Sequence, residues 1–191
     1  MTAANQPAAA VPVGSDEQIS SVMIYTSDQL IWGEVVTKVS LRVSNWLRTQ
    51  AIPQFIQIFN AHTIRLSATG ATRPQAYSNL LLPSNQVLAF HLRPPTSDPL
   101  DYDPKEPMRK MAPTLAMVGL FNFTGTIRMS THTDLRRYLE VTKESFVGMY
   151  DIAITTPVAS NLGPIHIPFA LLREGGVIFS SLEQPDTSGG S

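Results

Sequence analysis

Four histidines, His62, His91, His132 and His166, are the side chains of this chain best suited to metal binding or to proton transfer near neutral pH. A preformed metal site asks for ligands at a fixed spacing, as in HxxxH or HExxH, and these four fall in different elements without one. His132 stands in "THTD", Thr131 to Asp134, where a His–Asp couple could move a proton. A strand-to-helix turn with capping side chains accounts for the same four residues and is the expectation taken. Asp98, Asp101, Asp103 and Glu106 cluster among prolines, where the fixed, desolvated geometry of a general acid–base pair is not expected. There is no GxSxG elbow, P-loop or dinucleotide glycine fingerprint. With no cysteine, disulfides, thiolate zinc sites, iron–sulfur clusters and a cysteine nucleophile are excluded. The chain reads as a non-enzyme with no cofactor and no metal.

Binding chemistry is better represented than catalysis. From Val22 to Arg93 six basic residues stand against Asp28 and Glu34, a balance of +4, whereas Leu115 to Leu182 is neutral, so the net charge of −1 hides an uneven distribution. Within the basic part, Arg42 and Arg48 flank Trp46, and a guanidinium beside an aromatic suits anionic or single-stranded ligands. Lys38, Arg42, Ser44, Asn45, Trp46 and Arg48 are therefore the candidate ligand or partner surface. The competing role for Trp46 is to plug the end of a small core.

The elements that must position these residues come in two sets. "GEVVTKVSLRVSNWL", Gly33 to Leu47, returns as "GTIRMSTHTDLRRYL", Gly125 to Leu139, pairing Val43 with Leu135 and Trp46 with Tyr138 at one offset. Further on, "FIQIFNAHTI" meets "FVGMYDIAIT", pairing Phe55 with Phe146 and Asn60 with Asp151; "LLLPSNQVLAF" then meets "ALLREGGVIFS", pairing Val87 with Val177. In each set, runs rich in aliphatic, β-branched and aromatic residues predict strands, and apolar residues at i, i+3, i+4 predict one short helix. Ser40, and Thr133 or Asp134, are its expected N-caps. The last two strands of each set are expected to form a tight hairpin about "SN" and "EGG".

The expected organisation is a disordered tail over 1–20, a first repeat over 21–93, a proline-rich linker over 94–113, a second repeat over 114–182 and a disordered tail over 183–191. The linker is expected to be semi-extended, with packing through Leu100, Tyr102 and Met108 or screening of the basic repeat by its acids as its other roles. No apolar run approaches the roughly 18 residues of a membrane-spanning helix, and the N-terminus lacks the basic start and apolar stretch of a secretory signal, so no membrane insertion and a cytoplasmic location are expected.

Two resemblances bear on the fold. "LLREGGVIFSSL" resembles the second signature of Sm-like proteins, an apolar strand, an Arg-Gly turn and an apolar strand. Glu174 separates Arg173 from Gly175 here, and the first repeat has neither residue, so that family's RNA-base contacts are not carried over. The run "GEV…LRVSNWL…FIQIFNA" is similar to a small bacterial domain of unknown function, with a glycine strand, Arg-x-Ser-Asp/Asn-x-Leu, then Phe-x-x-Leu-x-Asp/Asn-Ala. These resemblances imply a compact β fold and no established activity.

The fold expected is mainly β: two tandem, small, Sm-like or SH3-like, partly closed β-barrels, each with one short helix, the alternative being α+β rolls. The expected function is a bacterial interaction, scaffold or regulatory module with a protein partner or self-association, continuing into rings or filaments if an edge strand is left open. The alternative is RNA or single-stranded nucleic-acid binding through the basic first repeat.

Overall fold

The computed structural model describes residues 10–48, 53–97, 99 and 101–182. Residues 1–9 of the expected tail over 1–20, the expected tail over 183–191, and Asp98 and Leu100 lie outside the described residues. The first half contains β1 (Glu17–Tyr25), β2 (Gln29–Lys38), α1 (Val43–Arg48), β3 (Phe55–Ser67), β4 (Gly70–Ala71), β5 (Gln75–Pro83) and β6 (Ala89–Leu92). The second contains β7 (Arg109–Val118), β8 (Phe121–Ser130), α2 (Leu135–Val141), β9 (Phe146–Thr155), β10 (Ile165–Arg173) and β11 (Ile178–Ser181).

The chain is mainly β, and its strands join one antiparallel sheet in the order β11-β7-β8-β9-β10-β6-β1-β2-β3-β4, with β5 also on β3. In each half the last strand lies beside the first: β6 on β1, and β11 on β7. The sheet does not close. Single 3-10 turns, Ser84–Gln86 and Glu174–Gly176, stand where hairpins were expected. These turns carry the chain across to the opposite side of its set, so β5 pairs β3 and β10 pairs β9.

Alternation accounts for the strands. In β2, Ile31, Val35 and Thr37 are buried on one side while Glu34 and Val36 lie between them half-buried, the period of two that a pleated strand imposes. The matched glycines and polar residues mark the same device in both halves. Register breaks between Trp32 and Glu34, and between Thr124 and Thr126, bracket Gly33 and Gly125. Their neighbours on the next strand, Asn60 and Asp151, take left-handed backbone angles of φ 47° and 51°. A Cβ on Gly33 would stand 2.7 Å from the Phe59 carbonyl oxygen, and one on Gly125 2.6 Å from that of Tyr150, so only glycine fits opposite these bulges.

Three boundaries differ from expectation. Glu17 to Ser20 belong to β1, because β1 pairs with β2 from Glu17 opposite Lys38 onward. Arg109 to Pro113 belong to β7 and not to the linker, since proline's fixed φ is compatible with an extended strand and the Pro113 carbonyl still accepts from Leu182 N–H. Asp134, one of the two caps expected for α2, accepts from Arg137 N–H at 2.8 Å. In the first half the Arg42 carbonyl accepts from Trp46 N–H, so Arg42, two residues beyond Ser40, holds the cap position of α1.

Apolar side chains gather in two clusters. One holds most of the second half's core with Tyr25, Leu30 and Leu66. The other holds the first half's core, Val22, Ile24, Leu47, Ile58 and Phe90 among it, and is completed by Phe146 and Leu171 from the second half.

Candidate functional site

The six expected surface residues differ in exposure and in partners. Lys38 closes β2 and reaches Asp16 at 2.8 Å and Glu17 at 3.3 Å; it holds the Asp16 carboxyl below its usual range, and the Gly14 N–H, then Lys38, do the same for Glu17. Trp46 is half-buried against the first half's cluster. Arg42 and Asn45 are exposed, and Ser44 lies in α1 with its side chain outside the described set. Arg48 leaves the others and turns toward the second half.

Arg48 leads to a polar cleft of about 460 Å³, lined also by Asp101, Tyr102, Arg128, Glu144, Gly148 and Tyr150. Arg48 Nη1 is 3.0 Å from Asp101, and Glu144 stands 3.7 Å from its Nε. The Tyr150 hydroxyl donates to the other Asp101 oxygen at 2.6 Å. Burial, then the nearby carboxylate, pushes the Tyr150 phenol well above its ordinary value, so it remains a donor. Tyr102 meets Tyr150 edge-on at 5.1 Å, and Arg128 lies over the Tyr102 ring at 4.5 Å. Glu106 accepts from Arg128 at 2.6 Å and Arg109 at 2.9 Å, and those two partners hold its carboxyl low. The linker thus packs through Tyr102, while Met108 is exposed. Its acids screen Arg48 of the first half but Arg109 and Arg128 of the second.

The histidines separate into four environments. His91 is buried, with its Nδ1–H donating to the Leu92 carbonyl at 2.7 Å, leaving Nε2 to accept from the Tyr25 hydroxyl at 3.0 Å. Burial lowers the His91 pKa to about 4 and raises that of Tyr25. His62 stacks on Trp32 with ring centres 5.3 Å apart. His132 and His166 are exposed on a turn and on β10. Among the described residues no group of three or more His, Asp or Glu side chains could hold a metal ion. Asp134 is occupied in capping, so "THTD" carries the turn chemistry expected of it.

The seam between the halves carries contacts that sequence reasoning did not single out. Leu171 sits opposite Phe90, and Leu172 opposite Ala89, where β10 pairs β6. Arg173 N–H donates to the Leu88 carbonyl at 2.7 Å. Its guanidinium donates to the carbonyls of Val87 at 2.6 Å and Ser84 at 2.7 Å, and covers the Phe146 ring at 4.6 Å. The available signal was the mismatch of Arg173 with Pro83 at aligned positions.

At the two ends of the sheet the strands have one partner each. β5 pairs only β3, and β11 pairs only β7, among the described residues. Both edges carry exposed apolar side chains: Tyr77 and Leu81 on β5, with Phe55 beside them on β3, and Ile178 on β11. An edge strand bearing exposed apolar side chains is a template for another strand.

Comparison with protein-family models, with curated proteins and with solved structures finds no match to this chain.

Proposed function

We propose that this chain is a non-catalytic interaction module, a scaffold or regulatory part, that engages protein partners through the two open edges of its sheet. The observation that carries this is the pair of edge strands, β5 and β11, each paired on one side only among the described residues, with exposed Leu81, Tyr77 and Ile178. Backbone groups on such edges supply hydrogen bonds to an added strand, and the apolar side chains supply burial. Neutralisation of Lys38 and Arg48 by carboxylates reduces the basic face on which nucleic-acid binding would depend. No helix of the described residues is long and apolar enough to cross a membrane.

The experiment is affinity capture from the native host with nuclease-treated and untreated lysates, for the wild-type chain and Leu81→Lys. The proposal expects a protein partner retained in both lysates and lost with Leu81→Lys. Retention that disappears with nuclease or with modest salt, and is indifferent to Leu81, contradicts it and favours the nucleic-acid alternative.

A further inference from the structure

The seam inside the chain shows how one half receives the other. At that seam Leu171 and Phe146 of the second half are 0% and 1% exposed, buried in the first half's core cluster. Their aligned counterparts in the first half are Leu81 and Phe55, which are 59% and 47% exposed. The same two positions are therefore covered where the other half adjoins them and bare where none of the described residues does.

The backbone of the two open edges has matching polarity. Ser84 N–H donates to the Gln54 carbonyl, so in alternation Leu81, Asn79 and Tyr77 turn their N–H and C=O groups to the open side of β5. At the other end Leu182 N–H donates to the Pro113 carbonyl, and Phe179 and Ser181 turn theirs away from β7. Phe179 corresponds to Phe90, because the first half carries one extra residue there: Leu88 N–H reaches the Tyr25 carbonyl while Ala89 is the strand partner of Tyr25. β5 is thus to β11 what β10 is to β6.

We propose that the partner at these edges is a second copy of this chain, bound head to tail. β5 of one molecule pairs antiparallel with β11 of the next, Leu81 opposite Phe179 and Leu82 opposite Ile178, as Leu171 meets Phe90 and Leu172 meets Ala89 within the chain. Phe55 and Leu81 then enter the uncovered end of the next molecule's second-half core. The contact joins two different surfaces, so successive copies either close into a ring or continue as a filament. The inference rests on the edges being interaction surfaces, as proposed above, and names what they bind.

One difference sets the strength of the contact. Pro83 stands where Arg173 does, with nearly the same backbone, φ −57° and ψ 126° against φ −71° and ψ 122°. Proline has neither the N–H that reaches the Leu88 carbonyl nor the guanidinium that holds Val87 and Ser84. The contact between molecules is weaker than the seam within one and depends on concentration.

The test is sedimentation of the purified full chain from micromolar to near-millimolar concentration. Mass is expected to rise in steps of 20.9 kDa. Leu81→Lys and Ile178→Lys change exposed side chains, and each is expected to remain monomeric with an unchanged melting temperature. Their equimolar mixture is expected to stop at a heterodimer, since only one β5 and one β11 remain intact between them. Pro83→Arg is expected to move assembly to lower concentration. A wild-type chain that stays at 20.9 kDa, a mixture that forms no heterodimer, or no effect of Pro83→Arg overturns the proposal. If the wild type is monomeric and Leu81→Lys still abolishes partner capture, the second copy is ruled out and the edge-binding function stands.

Discussion

Arg173 reaches across the seam between the halves and donates from Nε to the Val87 carbonyl at 2.6 Å. With the Ser84 carbonyl bound to the same guanidinium, the 3-10 turn of the first half is held by a residue that belongs to the second. Arg173→Met keeps most of the apolar stem over Phe146 and removes both side-chain bonds. It is expected to cost about 2 kcal/mol, the typical loss when charged hydrogen bonds to part-buried carbonyls are removed. Urea unfolding measures this, and an unchanged midpoint would mean that the clamp is not energetic.

The bulges make a second expectation. Gly33→Ala and Gly125→Ala place a Cβ within 2.7 Å and 2.6 Å of a backbone oxygen, so each is expected to destabilise by about 1–3 kcal/mol. Asp151 is exposed, yet its φ of 51° is closed to β-branched residues. Asp151→Val is expected to cost about 1–2 kcal/mol despite touching no core. Thermal melts of the three variants check both halves of the claim.

His91 makes stability depend on pH. Its folded pKa of about 4 lies below the usual 6.5, so between those values the unfolded chain binds the extra proton. Stability from this group is complete above pH 6.5 and is lost as pH falls toward 4, with a slope approaching about 1.4 kcal/mol per pH unit. Denaturant titrations between pH 6.5 and 5, above the range of ordinary carboxylates, should show that slope. His91→Gln should flatten it.

Asp101 ties the linker to both halves, accepting from Arg48 at 3.0 Å and from Tyr150 at 2.6 Å. Asp101→Ala leaves both donors without that acceptor and is expected to cost about 1–3 kcal/mol. Limited proteolysis should cut the linker faster in this variant than in the wild type. Equal rates would mean that Tyr102 and Glu106 hold the linker without Asp101.

The parts of the fold legible in the sequence were those fixed by local chemistry. Gly33 with Asn60, and Gly125 with Asp151, align because a bulge needs a residue without Cβ facing one that tolerates left-handed backbone. Leu135, Tyr138 and Leu139 showed their helix through spacing, and Asp134 showed its cap through type. The hairpins were misread because "SN" and "EGG" suit a two-residue reversal as well as a 3-10 turn. The choice is made by distant pairing of β6 with β1 and of β11 with β7. Arg48 was legible as a basic residue beside Trp46, but not as the partner of Asp101, 53 positions away. Leu81 and Leu171 are the same residue in the same context, and only the order of the sheet leaves one bare and buries the other.

Backbone amide exchange followed against protein concentration tests the central claim most directly. The open-edge amides of Leu81, Asn79 and Phe179 should gain protection together as concentration rises, while those of Leu171 and Phe90, already inside the seam, remain protected throughout. Exchange at Leu81 and Phe179 that is fast and independent of concentration would contradict the account.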